Sequence, residues 1–115
     1  MSRVWIPKAA HHDFREAERF GQLCYVFDDP QDPRKNPEGL PRPVDVSPFQ
    51  LEAIADAVRQ RIKDGHITAE DYLIICGPAT MVALTYAEWR MRLGTVNVLI
   101  YHARNAAYVL RTVRG

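Results

Sequence analysis

The chain reads as an α/β domain: one small, mostly parallel sheet of about five strands flanked by helices, with an antiparallel edge strand at the C-terminus. Three observations predict it. Asp71 to Ala103 spells a strand, a glycine turn, a helix and a second strand in sequence. Leu23-Cys24-Tyr25-Val26-Phe27 and Tyr72-Leu73-Ile74-Ile75-Cys76 are continuous apolar runs of the kind found in strands covered on both faces. The connection from the strand ending at Tyr101 to the last strand is too short for a crossover, so that pair must be antiparallel.

Taken in order, Arg3-Val4-Trp5-Ile6-Pro7 is a first strand stopped by its proline, and Lys8 to His12 is a connector. Asp13, with Glu16 three positions on, has the form of a helix cap. Phe14, Ala17 and Phe20 supply an apolar face and Gly21 a stop, giving a helix of about two turns. The run at Leu23 to Phe27 is the second strand. Residues 28–46 hold five of the eight prolines and form a long loop, with spaced prolines favouring an extended path. Pro30-Gln31-Asp32-Pro33 matches P-x-x-P in form only.

Ser47, Pro48 and Gln50 form a capping-box signature. The helix they open carries Leu51, Ile54, Ala55, Val58 and Ile62 on one face and ends at Gly65. Tyr72 to Cys76 is the third strand. The stretch after Gly77-Pro78 carries no charge from Ala79 to Ala87 and is apolar nearly all round, which predicts a well-buried helix closed by Gly94. Thr95 to Tyr101 and Ala107 to Val113 complete the sheet as a hairpin about the polar turn His102-Ala103-Arg104-Asn105. A single domain spans residues 1–115, with the proline-rich loop inside it.

Composition narrows the function classes. A hydrophobic content of 47% and charged content of 25% are ordinary for a globular chain, which argues against disorder and fibrous classes. Cys24 and Cys76 form no C-x-x-C pair and read as reduced thiols, so we expect a soluble, cytoplasmic protein. Neither a signal-peptide apolar region after Met1 nor a membrane-length apolar run occurs, so no membrane partner is expected. Residues 89–115 carry five arginines and no acid, against 10 Lys/Arg and 14 Asp/Glu before them. Arg90, Arg92, Arg104, Arg111 and Arg114 form a basic strip that either faces a negative partner or protects an edge strand.

In parallel sheets ligands bind beyond the carboxyl ends of the strands. That rule gathers Lys8, His11, His12 and Asp13 after the first strand, Asp28 and Asp29 after the second, Gly77 to Thr80 after the third, and His102, Arg104 and Asn105 after the fourth. Three of four histidines thereby share one rim. His11, His12 and His102 are candidate proton-transfer groups, with Asp13, Asp28 or Asp29 to orient a ring. Cys76 is a candidate nucleophile at a helix N-terminus, against the plainer reading of a buried strand-end thiol. Lys8, Gly77, Thr80 and Arg104 are candidate ligand-binding residues: two charges, a backbone turn at a positive helix pole, and a hydroxyl. Pro78 removes one amide donor, and neither G-x-G-x-x-G nor a P-loop is present. No metal spacing or cofactor motif is found, so no metal or cofactor is assigned. With only Ser2 and Ser47, ordinary serine-hydrolase chemistry is excluded.

The architecture resembles the Rossmann-like, doubly wound nucleotide-binding domains, and the resemblance extends to architecture alone. Three functions are ranked: binding of a small anionic, phosphate- or nucleotide-like ligand at the rim; a non-catalytic interaction module, such as a homodimer; and nucleic-acid binding through the arginine strip, the least expected at a net charge of +1.

Overall fold

The structure is a computed structural model and describes residues 2–9, 12–36 and 39–114. It contains β1 (Arg3–Lys8), a 3-10 turn (Arg15–Arg19), β2 (Gln22–Phe27), α1 (Leu51–Lys63), β3 (Tyr72–Ile74), α2 (Ala79–Leu93), β4 (Thr95–His102), a second 3-10 turn (Ala103–Asn105) and β5 (Ala107–Arg114). The strands form one sheet in the order β2-β1-β3-β4-β5. β1 pairs in parallel with β2 and β3, β3 in parallel with β4, and β5 antiparallel with β4. This is a small α/β domain with a mixed five-strand sheet and two helices.

Alternation along the strands builds two cores. On one face Trp5, Cys24, Val26, Leu73, Val96 and Val98 pack against Ile54 and Val58 of α1 and Met81 and Trp89 of α2. On the other, Val4, Ile6, Ile74, Leu99 and Tyr108 pack against Phe14 and Ala17. Both long helices therefore lie on one face, and the opposite face is covered by the Arg15–Arg19 turn. Each fully buried large side chain in these cores, Trp5 and Trp89 among them, contributes about 2–3 kcal/mol of transfer free energy.

Several expectations need correction. The two-turn helix at Asp13 is a 3-10 segment without a side-chain cap. Asp13 accepts instead from the Arg15 amide and guanidinium, and Glu16 reaches away to β5. Phe14, Ala17 and Phe20 recur every three residues, which is the 3-10 period and not the α period. Pro7 does not stop β1, which runs on to pair Lys8 with Phe27. The β1–β3 ladder covers only Val4 and Trp5, so Pro7 lies beyond it and its missing N–H breaks no bond there. α1 begins at Leu51, later than Pro48. Half of the capping box survives as a turn, with the Ser47 amide donating to Gln50 Oε1 at 2.8 Å, while Ser47 Oγ accepts from Phe49 at 3.2 Å. α2 is only half buried: Ala79, Ala83, Ala87 and Met91 line a solvent face at four-residue spacing. Alanine made that face look apolar.

The long loop is anchored. Val44 bridges Phe27 in parallel, donating its amide to the Val26 carbonyl at 2.9 Å and accepting from Asp28 at 3.2 Å. Two buried carboxylates hold the rest together. Asp71 accepts from the Arg3 amide at 2.9 Å, the Thr68 amide at 2.9 Å and the Trp5 indole at 3.2 Å. Glu88 on α2 takes a two-pronged contact from Arg59 of α1 at 2.9 and 3.0 Å and a third from Arg92 at 3.1 Å. Those hydrogen bonds hold its carboxyl below the ordinary range, Arg59 contributing most. No helix among the described residues is long and apolar enough to cross a membrane.

Candidate functional site

Because β1, β2, β3 and β4 run in one direction, their carboxyl ends share a border. Gly77 sits there with φ +126°, and a Cβ on it would lie 3.2 Å from the Lys8 nitrogen and 3.3 Å from the Lys8 oxygen. Only glycine lets the turn after β3 press against the end of β1 in that conformation. The space between those two strand ends is thereby filled by backbone.

The opening lies one strand further along. β3 stops at Ile74, whereas β4 continues to His102, and the Ile75 amide makes a last contact to the Leu99 carbonyl at 3.3 Å. The tight return through Ala106, in a left-handed conformation at φ 49°, brings β5 back beside the projecting end of β4. Tyr101 and Tyr108 then face each other edge-on with ring centroids 5.2 Å apart. The notch left beyond β3 is a cleft of about 220 Å³ lined by His12, Ile74, Ile75, Cys76, Ile100, Tyr101 and Tyr108. The His12 ring stands edge-on to Phe14 at 6.3 Å.

The electrostatics favour donors. Burial pushes the Tyr108 phenol up to about 12, with neighbouring Cys76 adding to the effect. Burial also raises the Cys76 thiol, the opposite of the activation a nucleophilic thiol needs. At neutral pH both groups therefore keep their protons. Cys24 is pushed up to about 11 by burial in mid-strand. None of the residues lining the cleft is a carboxylate. Asp13 is drawn down to about 2 by its hydrogen bonds to Arg15. Asp28 is buried and accepts from the amides of Ala9 at 3.2 Å and Asp29 at 2.9 Å and from Lys35 Nζ at 3.3 Å, so it ties the loop to β1.

The predicted rim residues separate into those gathered and those not. His12 and Cys76 meet in the cleft. His102 does not line the cleft; its Nδ1 accepts from the Asn105 amide at 3.3 Å. Arg104 is exposed on the second 3-10 turn. Thr80 spends its hydroxyl on the Pro48 carbonyl at 2.6 Å, which leaves only its amide for a ligand. Lys8 is half-buried at the end of β1. His11 lies outside the described residues. Among the described residues no three His, Cys, Asp or Glu side chains cluster at metal-binding distance.

Tyr101 and Tyr108 were not singled out by sequence reasoning. Their signal is the hairpin itself: residues placed symmetrically about the short turn must pair, and two tyrosines do.

Fold and rim together define a small α/β domain with a donor-lined cleft at the carboxyl border of its sheet. The chain belongs to the family described as Phage Pam3 gp32-like protein, which matches residues 2–114. No curated protein and no solved structure matches it.

Proposed function

We propose that the domain binds a compact anionic small molecule, an acidic group on an apolar body, in the cleft at the carboxyl border of the sheet. The observation that carries this reading is the composition of the cleft: it is lined by His12, Cys76, Tyr101 and Tyr108 together with Ile74, Ile75 and Ile100, with no carboxylate among them. Cys76 also opens the turn into α2, whose positive pole and first-turn amides favour an anion on the same side. At about 220 Å³ the cleft is smaller than the roughly 300–1,000 Å³ of pockets for drug-sized ligands. A phosphate or small carboxylate suits it better than a whole nucleotide. The raised thiol favours binding over nucleophilic catalysis by Cys76.

We read the sheet as a reduced doubly wound one. The chain leaves β1 toward β2 and returns past it to β3 and β4, which makes the β1/β3 boundary the switch point near which ligands collect in such sheets. Gly77 fills that boundary, and the cleft opens beside it.

Ligand-observed NMR with inorganic phosphate and with benzoate tests the proposal. Saturable binding of at least one anion is expected, weakened about tenfold by Tyr108→Phe or His12→Ala. Absence of saturable binding, or undiminished binding in both variants, overturns it.

A further inference from the structure

We propose that the outer edge of β5 takes up an acidic, extended segment of a partner protein as an added strand. The two edges of the sheet differ. At β2 the edge is met by Val44 of the proline-rich loop. At β5 the backbone groups of Tyr108 turn away from β4: its amide donates to Glu16 at 2.9 Å and its carbonyl accepts from Arg19 at 2.7 Å. Backbone direction alternates along a strand, so Leu110 and Thr112 turn outward as well. The opposite side of the ladder agrees, because Leu99, the partner of Leu110, gives its carbonyl to Ile75 on the β3 side. The Arg111 side chain meets the Leu110 carbonyl at 2.8 Å. For the Leu110 amide and for both backbone groups of Thr112, no partner is found among the described residues.

Charge selects the occupant. Arg111 and Arg114 stand on this strand and Arg104 on the turn before it, all exposed. None has a carboxylate within ion-pair distance among the described residues, whereas Arg92 is committed to Glu88. A second copy of β5 would set these arginines against their own duplicates. Nucleic-acid phosphates would suit the guanidiniums but would meet the outward Thr112 carbonyl with like polarity. A peptide strand matches the alternating donor and acceptor, and acidic side chains on it match the arginines. Charge on an edge normally discourages indiscriminate pairing; here the same charge discriminates in favour of an acidic strand. The exposed Leu110 offers an apolar contact within the same stretch. None of this depends on the cleft.

The probe is a blocked synthetic peptide of alternating Val and Glu, about eight residues long to match β5, titrated into isotope-labelled protein. Saturable shifts and slowed hydrogen exchange are expected at the Leu110 and Thr112 amides. Arg111→Glu with Arg114→Glu should weaken binding at least about tenfold while leaving the β4–β5 amide spectrum in place. The same peptide with Lys in place of Glu should not bind. Four results overturn the proposal: no shift with the acidic peptide, equal binding of the lysine peptide, tighter binding of a thymidine oligonucleotide at these amides, or concentration-dependent dimerisation through β5 that the peptide does not displace.

Discussion

Asp71 shows how much one side chain can organise. Its carboxylate receives donors from positions 3, 5 and 68, tying the start of β1 and the Trp5 indole to the turn before β3. Asp71→Ala leaves those buried donors without an acceptor, and a loss of about 3 kcal/mol is expected in urea denaturation; a change within experimental error would contradict this role. Glu88 acts between elements. Its folded carboxyl titrates below the ordinary value of 4.5, so as pH falls the unfolded chain takes up the proton first. The stabilisation is present in full above that ordinary value and is lost as pH falls through the depressed one. Wild type should therefore lose more stability than Glu88→Gln between about pH 6 and about pH 3, and parallel pH profiles would contradict the linkage. At neutral pH the same substitution should cost about 1–2 kcal/mol, because both arginines are half-exposed. Neither role is readable from the sequence: Asp71 looks like the polar lead into a strand, and Glu88 like the first charge of an apolar helix. Thr68 and Arg92 are near neighbours, at three- and four-residue spacing, but Arg3, Trp5 and Arg59 lie far away along the chain, and local pattern carries no information about them.

At the scale of elements, sequence pattern did better on existence than on kind. The strands and the two long helices stand where the apolar runs and the Gly94 stop put them. The segment after Asp13 held its own correction, since a strict three-residue repeat of Phe14, Ala17 and Phe20 belongs to a 3-10 turn. Capping chemistry at Asp13 pointed the other way, and Glu16 was in fact needed at β5. That use is testable: Glu16→Ala should speed hydrogen exchange at the Tyr108 amide several-fold, and unchanged exchange would contradict the clamp. The turn after β3 is equally specific. Gly77→Ala places a methyl against the Lys8 backbone at a φ that L-residues rarely adopt. A cost of about 1–3 kcal/mol is expected in thermal or urea unfolding, and a neutral result would contradict the close approach.

Across the whole molecule the expected parallel direction is observed for β1 to β4, and the connections between them are long enough to allow it. Of the residues that this direction assigned to the carboxyl border, His12 and Cys76 come together in the cleft. Direction alone did not resolve which side chains each strand end would turn into the cleft. Tyr101 lines it, whereas the neighbouring His102 ring accepts from the Asn105 amide, and a rim drawn only from strand ends cannot see that difference. The early end of β3 and the projection of β4 and β5, which create the cleft, depend on pairing lengths that hydrophobic runs leave open. The most direct measurement of the proposed site is an amide NMR map of the labelled protein across a titration with phosphate or benzoate. A contiguous set of perturbed amides at Cys76, Gly77, Ala79 to Met81, Tyr101 and Tyr108 is predicted. Perturbations confined to the arginines of the C-terminal strip, or none at all, would contradict it.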